Sequence, residues 1–220
     1  MVIMRSGLDP IFIYMELGFA LVALVFCLLT YFRTREAYSL TKHNGIKYFR
    51  DAFLFFGFAY LLRFLFSAVF LSRVILEFDP QRNILIPFSI ILLGYFSTMS
   101  ILYMIFSTVW KSIKSNTTIR LAHVLAILVS ILGFITGSPI VLLIINMVLI
   151  IIAIVLIFSK KDHKNRMNTR ILYMLVLLVW VINLFIAGRP FLPRELDQVV
   201  QGFALILFMI IYYKVAKWIK

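Results

Sequence analysis

Long apolar runs alternate with short polar ones along the whole chain. Seven apolar segments stand out, at 11–32, 52–71, 86–109, 119–136, 139–158, 171–187 and 197–215. A helix needs about 20 residues to cross the hydrocarbon of a bilayer, so each run predicts one transmembrane helix; the fourth, sixth and seventh are near the short limit. The residues between the runs agree with this division. Asp9-Pro10 makes a cap and first turn for the first helix, and Ser138-Pro139 does the same for the fifth, which leaves the fourth and fifth joined by the tight turn "TGSP". Pro10, Pro87 and Pro139 stand at predicted helix starts, Pro80, Pro190 and Pro193 in connections, and none inside a run. Arg5 precedes the first run as it would in a signal peptide. That run is too long for a signal core and no small-residue cleavage site follows, so it predicts a retained span.

Composition supports the same class. Of 220 residues, 63% are hydrophobic and 14% charged, with a mean hydropathy of +1.04. A soluble domain of this length cannot hide so much apolar surface. The net charge of +13 would suit nucleic acid, but the Lys and Arg residues lie between the apolar runs and form no basic domain of their own. They are better explained by membrane orientation. One side of the seven-span layout collects sixteen of the 22, in 33–50, 111–120, 160–170 and the tail 214–220. The other side collects five: Arg5, Arg73, Arg82, Arg189 and Arg194. The positive-inside rule then sets the N-terminus outside and the C-terminus in the cytoplasm, a partition that six spans would spoil. Glu77, Asp79, Glu195 and Asp197 fall on the outer side, and Trp110 and Trp218 at inner helix ends. Cys27 is the single cysteine, so no disulfide forms within the chain.

A faint self-similarity runs through the sequence. Shifted by 120, Arg50 meets Arg170, Tyr60 meets Trp180 and Arg63 meets Asn183; shifted by 108, Gly94 meets Gly202, Tyr95 meets Phe203 and Trp110 meets Trp218. The matches fit a three-plus-one-plus-three parallel repeat, with helix 4 as the linker, and they also fit chance agreement between apolar strings.

The polar residues inside the runs carry the candidate chemistry. The stretch "FFGFAYLLRFLFSAVF", Phe55 to Phe70, holds one charge, Arg63, with Ala59, Tyr60, Phe66 and Ser67 on the same helical face. Glu16 is the single acid in the interior of a run and lies at a depth that Arg63 can reach, so the two predict an ion pair. Ser97 and Thr98 on helix 3, Ser130 on helix 4, Asn146 on helix 5, Asn183 on helix 6 and Gln198 and Gln201 on helix 7 also fall in the outer half. The inner half holds Ser107, Thr108 and His123, the last expected to meet water near the inner interface. Three readings of the outer set stay open: interhelical glue, a ligand-binding cavity and an ion or proton path. The outward bias speaks for the cavity, because glue has no reason to avoid the inner half.

Catalytic patterns are missing. His43, His123 and His163 are scattered, with no HExxH, no phosphate loop, no GxSxG and no pair of buried aspartates. The sequence therefore predicts a non-enzyme with no metal, no cofactor and no nucleic-acid partner. The middle of helix 7, "GFALILFMIIYY", lacks the lysine that retinal proteins place there, and the end of helix 3, "FSTVWKSIK", lacks the acid-arginine-tyrosine motif of G-protein-coupled receptors. The three-plus-one-plus-three layout is similar to sugar transporters of the SWEET and PQ-loop type, although Pro80-Gln81 falls in a loop rather than a helix. The region "YFRTREAYSLTKHNGIKYFRDAFLFFGFAYLLRF", Tyr31 to Phe64, resembles the first inner loop and second helix of prokaryotic seven-helix membrane proteins, among them input modules of sensor histidine kinases. That resemblance implies ligand sensing from outside with output passed inward. The sequence reaches Lys220 soon after the seventh run, so such output calls for a separate cytoplasmic or membrane partner. The expectation is thus an all-α integral membrane protein, a single seven-transmembrane-helix bundle over 1–220 in a prokaryotic cytoplasmic membrane. It acts as a sensor or receptor-like module for a small polar ligand; the alternatives are a transporter of a small polar solute and an assembly subunit without a ligand.

Overall fold

The computed structural model describes residues 10–76, 82–113, 116–136, 139–159, 167–187 and 194–218, and in it each apolar run lies in an α-helix. The helices are α1 (Pro10–Thr41), α2 (Asn44–Leu76), α3 (Arg82–Val109), α4 (Asn116–Ile135), α5 (Pro139–Ser159), α6 (Met167–Ala187) and α7 (Arg194–Trp218), with one 3-10 turn, Trp110–Ser112, after α3. Six of the seven are long and apolar enough to cross a membrane, whereas the apolar stretch of α6, Arg170–Leu184, is shorter. The chain is an all-α, multi-pass membrane protein. Pro10 and Pro139 open their helices as expected; their proposed caps, Asp9 and Ser138, and the acids Glu77 and Asp79 lie outside the described residues.

Two helices outrun their apolar segments. The 32 residues of α1 and 33 of α2 extend roughly 50 Å, against about 30 Å of hydrocarbon. The surplus forms a helical hairpin on the side richest in Lys and Arg. Arg33, Arg35, Glu36 and Ala37 are good helix formers, so α1 continues where its hydrophobic run stops. Arg33 pairs with Glu36 at 2.6 Å, and the Arg50 guanidinium of α2 lies over the rings of Tyr31 and Tyr38 of α1, at 5.7 and 5.4 Å. Lys42 ends α1 at φ 51°, the left-handed conformation of a helix C-terminus. His43 then opens α2: its carbonyl accepts from the Ile46 and Lys47 amides, and its ring Nδ1 accepts from the Gly45 amide at 3.1 Å.

Packing joins α1 to α2, α2 to α3, α3 to α5, α5 to α6, α6 to α7 and α7 back to α1, which closes a ring of six helices. α4 packs outside this ring against α3 and α5. It turns the small stripe Ala122, Ala126, Val129 and Ser130 inward, and Leu121, Val124, Leu128 and Ile135 stay exposed, as on a lipid-facing helix. Gly94 allows the close approach there: a Cβ on it would meet Leu142 Cδ1 at 2.7 Å and Ser130 Oγ at 3.2 Å. The interior is aromatic. Phe56 of α2 stacks on Trp180 of α6 with ring centroids 4.2 Å apart, and Tyr60 and Phe56 both meet Phe208 of α7.

Candidate functional site

The buried charge of α2 finds the partner that depth predicts. Arg63 Nε donates to Glu16 Oε1 at 3.2 Å, and the two side chains are 16% and 8% exposed. α1 and α2 run antiparallel, so residues early in α1 lie level with residues late in α2. The guanidinium also covers the face of Phe19 at 5.2 Å, where an apolar ring supplies cation–π attraction in place of water. Phe19 in turn meets the Tyr60 ring edge-on at 5.8 Å.

One turn before Arg63 on α2, the Tyr60 hydroxyl donates to Asn183 Oδ1 of α6 in a short hydrogen bond. Asn183 Nδ2 donates to the Val179 carbonyl at 2.8 Å, so both functions of the buried amide are engaged. A turn before Asn183 on α6 sits Trp180, 3% exposed, whose indole Nε1–H has no hydrogen-bond partner among the described residues. Tyr60, Trp180 and Phe19 were not among the candidate residues. Aromatic residues in an aromatic-rich chain look like ordinary core; Tyr60 is set apart by sharing the helical face of Arg63 and by its alignment with Trp180 at a shift of 120, and nothing sets Phe19 apart. On α7, Gln201 is buried two turns before Phe208 and donates to Asp197 Oδ2 at 3.2 Å. Asp197 lies in the first turn of α7, where the helix dipole favours a carboxylate.

A second polar group sits apart from this one, between α3 and α5. Thr98 Oγ1 donates to Asn146 Oδ1 at 3.1 Å, Asn146 Nδ2 donates to Ser97 Oγ at 3.4 Å, and Ser97 Oγ donates to the Gly94 carbonyl at 3.0 Å. Thr98 and Asn146 are fully buried and satisfied by each other, an arrangement that suits interhelical bonding. Ser130 bonds back to its own helix at the Ala126 carbonyl, 2.7 Å away. Gln198 is exposed. Of the eight candidate residues, then, Glu16, Arg63 and Asn183 share one cluster with Tyr60 and Trp180. Gln201 is buried on the neighbouring α7, Ser97, Thr98 and Asn146 form a separate group, and Gln198 joins neither.

The end of the bundle at the α1–α2 hairpin is tied more firmly than its sparse polar residues suggest. Ser107 Oγ of α3 donates to the Gly45 carbonyl of α2 at 2.8 Å and accepts from the Tyr173 hydroxyl of α6 in a short bond, so one serine fastens three helices. The His43 ring packs edge-on against Trp110 at 4.4 Å. His123 does not simply face water as expected: its Nδ1 shares a 2.8 Å hydrogen bond with the Tyr95 hydroxyl of α3. The proton position there follows from whichever tautomer the ring adopts.

No protein-family model matches this sequence, and no solved structure matches it. The chain is similar to a protein of Archaeoglobus fulgidus described as an uncharacterized protein: the two are 29% identical over 213 residues, which cover 94% of this chain and 93% of the relative. The similarity therefore runs through the helices of both halves and is not confined to one motif.

Proposed function

We propose that this protein is a non-enzymatic sensor or receptor-like module of a prokaryotic cytoplasmic membrane, with its N-terminus outside and all seven helices crossing. The 21 residues of α6 give about 31 Å, enough for the seventh crossing. The ligand site is the cluster of Arg63, Glu16, Tyr60, Asn183 and Trp180 among α1, α2, α6 and α7. The output surface is the hairpin 33–50 and the basic tail, read by a separate cytoplasmic or membrane partner.

One observation carries this reading. α2 is a single unbroken helix with Arg63 and Tyr60 about midway along it and the His43-capped hairpin at its start. A ligand that shifts Arg63 or Tyr60 moves the same rigid element whose start is fastened by Ser107 to α3 and α6. Reconstitution tests it: the protein should carry no solute flux in proteoliposomes and should co-purify with a membrane or cytoplasmic partner. Robust flux of a small polar solute would sink the sensor reading. A cysteine placed at Asn44, which is exposed at the hairpin, should be labelled from inside and not from outside.

A transporter is the second reading, and the helix ring favours it. The neighbour pattern is unchanged when α1, α2 and α3 are exchanged with α5, α6 and α7, as a parallel repeat linked by α4 requires. Hydrogen bonds join the two halves at two levels, Tyr60 with Asn183 midway along α2 and Ser107 with Tyr173 close to the α1–α2 hairpin. Alternating access would break them in turn.

A further inference from the structure

A helix leaves its first amides without partners, and Ser, Thr, Asp or Asn just before it most often supplies an acceptor. α2 opens on a histidine instead. The His43 carbonyl accepts from the Ile46 and Lys47 amides, and its ring Nδ1 accepts from the Gly45 amide at 3.1 Å. An amide N–H can only donate, so Nδ1 must offer a lone pair, and the ring proton stands on Nε2. This cap therefore exists only with a neutral imidazole. The oxygens of Ser, Thr, Asn and Asp keep accepting between about pH 5 and 8, whereas histidine ordinarily takes up its second proton in that interval.

The ring is wedged where it stands. It packs edge-on against Trp110 with centroids 4.4 Å apart, and a Cβ on Gly45 would lie 2.9 Å from both His43 Cε1 and Trp110 Cδ1. A proton on Nδ1 sets two donors face to face, so the ring must leave Trp110 or the first turn of α2 must give way. Gly45 is tied on its other side as well. Its carbonyl accepts from Ser107 of α3, which also bonds Tyr173 of α6. The charged side chains of the elements meeting there are Lys42 at the end of α1, Lys47 on α2 and Lys111 in the turn after α3. Thr41 of α1 accepts from the His43 amide at 3.4 Å. The hairpin acids Glu36 and Asp51 are held by Arg33 and Arg50, and among the described residues no acid pairs with His43 to hold an imidazolium in place.

We infer that His43 is a proton-operated cap. Neutral, it fastens the start of α2 against the turn after α3; protonated, it releases the Gly45 amide and loosens the hairpin 33–50. The bond needs the deprotonated nitrogen, so the fastening is present above the histidine range and is lost as pH falls through it. The hairpin thus responds to pH on its own side of the membrane, whether the protein senses or transports.

Hydrogen exchange of the full-length protein in nanodiscs tests this, read by mass spectrometry at about pH 8 and about pH 5.5 and corrected for intrinsic exchange rates. Protection across 45–50 should fall about fivefold at the lower pH, the factor that removal of a typical side-chain cap makes. α5 has no titratable side chain and serves as the reference that does not change. His43→Asn supplies an accepting oxygen at either pH, and its protection should stay high at both. His43→Ala has no cap, and its protection should be low at both. Equal protection of the natural sequence at the two pH values overturns the switch. So does a fall in His43→Asn as large as in the natural sequence, because another group then titrates. His43→Ala matching the natural sequence at pH 8 overturns the cap itself.

Discussion

Replacing Arg63 and Glu16 with leucine, singly and together, gives the sharpest test of what the buried charges do. Arg63→Leu leaves the Glu16 carboxylate, 8% exposed, without its arginine. Breaking a buried pair from one side costs about 3–5 kcal/mol, and we expect the lower end, about 3 kcal/mol, because the contact is a single bond at 3.2 Å. Glu16→Leu should cost less, about 1–2 kcal/mol. Arg63 keeps 16% exposure, retains the face of Phe19 and has a long stem that can carry its head toward the interface. The double variant removes both charges from low dielectric, and apolar replacement of a whole pair is often nearly neutral. Losing the Phe19 contact leaves a cost of about 1–2 kcal/mol. The singles therefore sum to roughly 4–5 kcal/mol and the double falls about 3 kcal/mol short of that sum, a coupling at the upper end for residues in contact. Reversible unfolding in mixed micelles, followed by circular dichroism, measures all four proteins. A double variant equal to the sum of the singles within about 0.5 kcal/mol would refute the coupling.

Three further outcomes are expected by the same assay. Tyr60→Phe leaves the buried Asn183 oxygen without its donor and should cost about 1–2 kcal/mol, with little change in helix content. Gly94→Ala pushes a methyl to 2.7 Å from Leu142 and against the α4 backbone at Ser130, and should cost about 1–3 kcal/mol, whereas Gly18→Ala meets nothing within 4 Å and should be neutral or stabilise by up to about 1 kcal/mol. Ser107→Ala frees the Gly45 carbonyl and the Tyr173 hydroxyl together; it should cost about 1–2 kcal/mol and raise hydrogen exchange across 42–50, and unchanged exchange there would show that Ser107 does not hold the start of α2.

Hydropathy located every helix because the bilayer imposes a length of apolar chain, yet it misplaced the ends of α1 and α2. Membrane crossing ends where charge begins, at Arg33, but helix formation does not: Arg, Glu and Ala sustain it to Thr41, and only the left-handed Lys42 stops it. The same distinction governs the site. The Glu16–Arg63 pair was legible because an ionised group inside a span must find a partner, and helix direction restricts the choice to one depth. Asn183 was legible as polar, but its partner was not, since a tyrosine hides its hydroxyl behind a ring that packs like any other. Equal depth also failed to separate Asn146 from Asn183. The two lie on helices adjacent in the ring, yet one faces α3 and the other faces α2. Depth is a one-dimensional coordinate, and rotation about each helix axis is set by packing of the entire ring. Charge pairs survive that loss of information because their reach is long and their alternatives are few. Hydrogen-bonded amides and hydroxyls do not, because any of several neighbours can satisfy them within about 3 Å, and which one does is decided only when the helices close.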